Sequence, residues 1–192
     1  MSEIETKRLI LRPFVKNDVT ALFRIMSDAA VNRFLPLFPL KTVEEAENYL
    51  QEKYLSRYEA GVDFYYALCF KADNVPVGYI KVSEDDSHDL GYGLRREYWN
   101  KGIMTEACRA VLEAVEKAGL PYVTATHDVN NPASGEVMRK AGLIYRYSYE
   151  ELWQPKNIPV IFRLYQINFH GRDGRVYKKY WDNASVRFVE KL

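Results

Sequence analysis

The stretch Leu90-Gly-Tyr-Gly-Leu94-Arg-Arg-Glu-Tyr98-Trp-Asn-Lys-Gly102-Ile-Met-Thr105-Glu-Ala107 decides how this chain is read. Its apolar start predicts a strand, and Gly91 and Gly93 inside it predict a bulge or a close backbone approach. A loop follows, and Thr105 to Ala118 is the clearest helix of the chain. Ala107, Cys108, Val111, Leu112, Val115 and Ala118 make one apolar stripe, with Glu106, Arg109, Glu113 and Lys117 mostly opposite. Gly119 and Pro121 end the helix. A strand that feeds a helix N-terminus through such a loop is a place for an anion. The first-turn amides have no partners inside the helix, and the helix dipole favours a negative charge there by roughly 0.3–1 kcal/mol. Gly102 lets backbone approach a phosphate without a Cβ in the way, and Thr105 adds a hydroxyl. The fingerprints of other phosphate-binding classes, GxxxxGK[ST] and GxGxxG, are absent.

Upstream, Arg8 to Val15 predicts a first strand, with Leu9, Leu11 and Val15 on one parity. Asp18 is placed to cap a helix running to about Met26. Pro36 and Pro39 make residues 34–40 an apolar connection. Thr42-Val-Glu-Glu45 is a capping box, opening a helix that should run to about Tyr58 and stop at Gly61. Asp63 to Lys71 and Val77 to Val82 are two strands around an Ala72-Asp73-Asn74 turn. Downstream, Tyr122 to Thr126 is a fifth strand. Asn131-Pro132 reads as an N-cap with proline at the first helical position, and that helix ends at Gly142. Leu143 to Tyr149 and Val160 to Ile167 close as a hairpin whose loop holds Trp153, Pro155 and Pro159. The element order predicts one α/β domain, residues 1–168, with a mixed sheet. Residues 169–192 are an extension. In it Val176, Tyr177, Tyr180 and Trp181 fall at helical spacing, as expected of a segment packed on the domain or on a second subunit of a homodimer.

The chain has 192 residues, enough for one domain with a real core. Its formal charge of +1 excludes the broad basic field of nonspecific nucleic-acid binding. The polar N-terminus is no signal peptide, and no apolar run approaches a membrane span. Cys69 and Cys108 form neither a CxxC pair nor a metal-ligand set, so both read as reduced core residues in a cytoplasmic protein without a metal.

Two motifs carry a resemblance. Tyr98-Trp99-Asn100-Lys101-Gly102-Ile103-Met104-Thr105-Glu106-Ala107 resembles the acetyl-CoA pyrophosphate loop of GNAT acetyltransferases, above all the ribosomal-protein N-acetyltransferases of the RimJ and RimL type. Asn131-Pro-Ala-Ser134 with Met138-Arg-Lys-Ala-Gly142-Leu143 resembles the family's last motif, and Thr6 to Pro13 its first strand. The resemblance covers about residues 6 to 168. It implies a mostly antiparallel seven-stranded sheet with about four helices, splayed between strands 4 and 5 to take pantetheine. It also implies that the backbone of Leu94 pairs with pantetheine and that the amides from Trp99 through Asn100, Lys101, Gly102, Ile103 and Met104 to Thr105 hold the pyrophosphate. Asn131 and Ser134 would lie at the thiol end. The chain departs from the family pattern at Trp99, Asn100 and Met104, and at Met138, where many relatives place a general-acid tyrosine.

The resemblance implies direct transfer of acetyl from acetyl-CoA to a primary amine, with Ser134 as donor to the departing sulfur and backbone donors near the fourth strand stabilising the oxyanion. Asp89 and Tyr92 are the other catalytic candidates. Strand alternation puts His88 and Tyr92 on one face and Asp89 on the other, while His127 and His170 have weaker cases. The acceptor reads as a protein N-terminal α-amine, or as a small polyamine or amino-sugar. A CoA-binding protein that has lost turnover is the alternative from another class.

Overall fold

The structure, a computed structural model, describes residues 2–169 and 174–191. His170 therefore lies outside the described residues. Strands β1 (Ile4–Glu5), β2 (Leu9–Arg12), β3 (Tyr65–Phe70), β4 (Pro76–Val82) and β5 (Leu90–Leu94) form an antiparallel sheet in that order. Strands β6 (Tyr122–Asp128), β7 (Ile144–Trp153), β8 (Ile158–Asn168) and β9 (Arg187–Phe188) form a second, in the order β6-β8-β7-β9. One parallel bridge, Asp89 to Thr124, joins the two sheets at the start of β5. There the Thr124 amide donates to the His88 carbonyl at 3.3 Å. Beyond it β5 and β6 part, so the expected splay between the fourth and fifth predicted strands is present.

Among the described residues nine strands stand where seven were expected, because β1 and β9 are two-residue pieces too short to leave a periodic signal. The β7–β8 connection is also tighter than predicted. Trp153 ends β7 and Pro159 lies in β8, leaving residues 154–157 as the turn. The helices are α1 (Val19–Met26), α2 (Ala29–Asn32), α3 (Val43–Leu50), α4 (Ser56–Glu59), α5 (Ile103–Lys117), α6 (Pro132–Ala141) and α7 (Lys179–Asn183). The predicted helix from Thr42 is one rod in three stretches, with a π turn at Gln51–Leu55 between α3 and α4. Its capping box is formed: Thr42 Oγ1 accepts from the Glu45 amide at 3.1 Å. Gly61 stops the rod in the left-handed region, φ +80°.

Alternation on the strands builds a core on each face of the first sheet. Leu9, Leu11, Ile80, Val82, Leu90 and Leu94 meet the α5 stripe on one side. Tyr65, Ala67, Cys69 and Tyr79 meet α1 and the α3 rod on the other. Each fully buried Leu or Ile contributes roughly 1.5–3 kcal/mol. Cys69 and Cys108 are free, buried and on opposite sides. The C-terminal segment packs on the second sheet, where Tyr177 joins Tyr147, Tyr149 and Phe162.

Two expectations near β2 fail. The strand stops at Arg12, before Pro13. Val15 therefore leaves the parity of Leu9 and Leu11 and is 48% exposed. Asp18 stands at the start of α1 but does not cap that helix through its side chain. Its carboxylate instead accepts Arg12 Nη1 at 2.7 Å and Nη2 at 3.0 Å, with both residues buried, and takes the Val15 amide at 2.9 Å. Arg12 also donates to the Asn74 side chain and carbonyl at 2.9 Å each, so one guanidinium ties β2, α1 and the β3–β4 turn. Removing one partner of such a pair strands the other's charge. Asp18→Ala is expected to lower unfolding free energy by roughly 3–5 kcal/mol in denaturant titration. A loss below about 1 kcal/mol would mean that Asn74 and the Pro13 carbonyl satisfy Arg12 unaided.

Candidate active site

The loop between β5 and α5 is shaped by two left-handed residues, Asn100 at φ +58° and Gly102 at φ +69°. Gly102 is the N-cap of α5 and offers no side chain, so the amides of Ile103, Met104 and Thr105 face outward without helix partners. The Ile103 and Met104 side chains are buried in the core. Those two residues can therefore act on an anion only through backbone. Lys101 is exposed, with its Nζ 5.8 Å from the centre of the Tyr98 ring.

A contact not foreseen from the sequence fixes this loop. Glu106, expected on the solvent face, accepts from Thr6 Oγ1 at 2.6 Å, the Arg8 amide at 3.0 Å and Arg8 Nε at 2.6 Å. Arg8 Nη1 in turn donates to the Lys101 carbonyl at 2.9 Å. Partial burial pushes the Glu106 carboxyl up, but the Thr6 and Arg8 hydrogen bonds more than offset it and hold it below its usual range. The signal was present in the Thr6-Lys-Arg8 start, but nothing local to α5 connects it to residue 106.

The β5 edge facing the splay carries alternate backbone groups. Ser83 donates to the Asp89 carbonyl and Arg95 to the Val77 carbonyl, so the odd positions of β5 pair with β4. The backbone groups of Leu90, Tyr92 and Leu94 point toward the gap. The Leu94 carbonyl already accepts the Trp99 indole Nε1 at 2.7 Å, which leaves its amide as the unspent group of that residue. Gly93 is a true close approach, since a Cβ there would sit 2.5 Å from Tyr79 Cε1.

Tyr92 and Ser134, 42 positions apart, are brought together across the gap. The Tyr92 hydroxyl lies 2.9 Å from both the Ser134 carbonyl and its Oγ. Ser134 stands in the first turn of α6, after Asn131 at the N-cap and Pro132. The Asn131 side chain makes no capping bond. Burial, with a smaller push from Cys108, drives the Tyr92 phenol well above its usual range, and Ser134 opposes this. Tyr92 therefore stays protonated and donates.

Asp89 sits on the opposite face of the first sheet, in line with Gly91 and Gly93, whose cross-strand partners are Lys81 and Tyr79. The residue is half-buried, but its Oδ1 is enclosed without a hydrogen-bond partner among the described residues. Burial pushes its carboxyl up to about 7. Lys81 and the Thr126 amide pull against that shift, and Asp85 adds to it. Burial likewise holds the Lys81 ammonium below its usual range, with Asp89 opposing. A carboxyl poised there can exchange a proton near neutral pH.

His88 breaks the expected alternation because its φ is +46°, and its ring lies 5.3 Å from that of Tyr122. His127 is packed against Gly135, where a Cβ would fall 2.6 Å from its Nε2, and burial keeps it neutral.

A cleft of about 1710 Å³ threads the splay and touches Trp99, Asn100, Gly102 to Thr105, Tyr92, Ser134, Lys81 and Asp89. That exceeds the roughly 300–1,000 Å³ of a single small-ligand pocket and suits two reactants. The glycine cradle, the free α5 amides and the unpaired β5 edge fit a phosphate-bearing, amide-containing cosubstrate such as acetyl-CoA.

Residues 8–144, more than half of the chain, match the acetyltransferase (GNAT) domain. The chain belongs to that family and is an acetyltransferase. It is similar to the uncharacterized N-acetyltransferase YnaD of Bacillus subtilis (strain 168), 27% identical over 144 residues, 73% of this chain and 81% of that protein. A GNAT-family acetyltransferase from Bacillus anthracis shares its fold with TM-score 0.76 at 24% identity, over 87% of this chain and 98% of the other. RimL, a ribosomal L7/L12 alpha-N-protein acetyltransferase solved with coenzyme A, does so with TM-score 0.75 at 17% identity, over 88% and 98%. Among the described residues no helix is long and apolar enough to cross a membrane.

Gly102→Glu is expected to weaken CoA affinity at least ~10-fold in calorimetry, because it adds charge at the cradle and strains a left-handed residue. Gly102→Asn, which tolerates that backbone, should lose far less. Equal CoA affinity in folded Gly102→Glu would remove the loop from the cosubstrate site.

Proposed function

We propose that this chain transfers acetyl from acetyl-CoA directly to a primary amine, a protein N-terminal α-amine being the acceptor class. The observation that carries the reading is the Tyr92–Ser134 contact at the α6 N-terminus, on one side of a gap whose other side holds the half-buried Asp89. Acetyl-CoA supplies an activated thioester, so no protein nucleophile is needed. Neither thiol is suited to be one: burial pushes Cys69 up to about 12 and drives Cys108 higher still.

Each group then has a role. The amides of the β5–α5 loop and the first turn of α5, from Trp99 to Thr105, hold the pyrophosphate, and the Leu94 amide pairs with pantetheine. Asn131 orients the thiol end. Asp89, ionised, takes the proton of the acceptor ammonium. Ser134 Oγ donates to the departing sulfur, aided by the positive end of α6. Tyr92 is a positioning residue, since its hydroxyl holds Ser134 and its own proton is held too tightly to leave. Met138, one turn beyond Ser134 and 1% exposed, fills the core where many relatives place a tyrosine.

A base titrating near neutrality suits an α-amine, with pKa about 7.7–8.0, better than lysine at about 10.4. Neutralising lysine near pH 7 costs roughly 3–4 kcal/mol more. The RimL neighbour, described as an alpha-N-protein acetyltransferase, supports the same choice. In competition at pH 7, peptides with a free N-terminus should be acetylated well ahead of N-blocked peptides carrying lysine. Faster lysine modification overturns the α-amine assignment, and faster turnover of a polyamine or amino-sugar moves the acceptor to a small molecule. CoA binding without turnover of any amine would leave an interaction protein.

Ser134→Ala should lower kcat by ~10- to 100-fold, at the low end of general-acid effects, with CoA affinity little changed. Tyr92→Phe should cost about 2- to 10-fold, the worth of one neutral hydrogen bond. Wild-type kcat in Ser134→Ala across the pH range returns the serine to an ordinary first-turn role.

A further inference from the structure

The C-terminal segment is tied down on both sides of Tyr180. On one side the Tyr177 amide donates to Gln166 Oε1 at 2.8 Å, and the Tyr147 hydroxyl donates to the Tyr177 carbonyl at 2.7 Å. On the other, β9 pairs with β7 at Ser148 and Tyr149, and Glu190 holds Arg163 at 2.5 Å and 2.9 Å. Tyr180 is thereby stacked on Tyr149, ring centres 5.2 Å apart and planes 14° from parallel. Tyr149 continues to Phe162 at 5.7 Å, and Phe162 to Trp153 at 5.4 Å. All four rings line the cleft on which Asp89 opens. Burial raises both phenols above their usual range, and the Asp89 charge is close enough to push each further.

We propose that this segment is part of the acceptor subsite: the Tyr180–Tyr149 stack lies beside Asp89, so that the acceptor's ammonium enters between a carboxylate and the aromatic stack. The body of the acceptor lies along Phe162 and Trp153, which favours an alkyl or aryl amine, free or as an apolar N-terminal residue, over a polyhydroxylated amine. The chemistry is that of cation–π recognition, in which a ring face attracts an ammonium that is partly desolvated. The inference rests on the reading of the cleft as an acetyl-CoA and amine site, and it assigns to the tail a function beyond packing.

The probe is 2-phenylethylammonium, with glucosamine as the polyhydroxylated comparison. Binding is measured by calorimetry without acetyl-CoA, and acetyl-CoA affinity is measured separately. Tyr180→Leu keeps bulk against Tyr149 but removes the ring face, and Tyr180→Phe keeps the ring. Wild type should bind 2-phenylethylammonium more tightly than glucosamine. Tyr180→Leu should weaken 2-phenylethylammonium about 5- to 10-fold and Tyr180→Phe less than about 2-fold, with acetyl-CoA affinity unchanged in both. Asp89→Asn should weaken the same probe. Equal binding by Tyr180→Leu and wild type, or a preference for glucosamine, overturns the subsite. Failure of wild type to bind acetyl-CoA defeats the functional reading instead, and the amine titrations still decide the subsite.

Discussion

Beyond the Asp89–Thr124 bridge, β5 and β6 stop pairing, and much of the molecule is arranged around that parting. Backbone groups left on a sheet edge need partners. Here the Trp99 indole takes one, the Leu94 carbonyl, and the Tyr92 backbone and Leu94 amide face the cleft. The helix that carries the chain from β5 to β6 must start where they diverge, so its unpaired first-turn amides border the same gap. The gap also joins the two faces of the first sheet. Tyr92 and Ser134 meet on one, Asp89 and Lys81 lie on the other, and the cleft runs between them.

The buried charges divide in a way that matches this geometry. Arg12 and Asp18 satisfy each other with two hydrogen bonds and have further backbone and side-chain partners, which makes them a brace between elements. Asp89 has an enclosed oxygen with no partner among the described residues, and burial pushes its carboxyl up to about 7. A polar group left unsatisfied inside a fold costs stability, and such groups concentrate where chemistry needs a proton to move. Glu106 belongs with the first kind. Its bonds to Thr6 and Arg8 lock the glycine loop to the β1–β2 turn, so the cradle is positioned by a segment far away in the chain.

The local signals in the sequence determined most of the architecture. The capping box at Thr42, the apolar stripe of α5, proline at the start of α6 and the glycines that end helices each act within a few residues, and each element formed where its signal lay. The glycine loop was legible for the same reason, because the left-handed turn and free amides are properties of five or six neighbouring residues. Cys69 and Cys108 were legible as core residues from the apolar patterns around them.

Tertiary structure alone decided which of the candidate side chains meet. Tyr92 was only one polar residue on a strand until α6 brought Ser134 to 2.9 Å from it. Asp18 passed for a helix cap until Arg12 claimed its carboxylate, and Glu106 for a solvent-facing residue until the β1–β2 turn reached it. The tail's aromatic spacing showed that it packs, but not that Tyr180 stacks on Tyr149 beside the cleft. The physical reason is range. Propensity, capping and turn chemistry act between near neighbours in the chain, whereas pairing of charges and desolvation of a carboxyl depend on residues that only the folded packing makes neighbours.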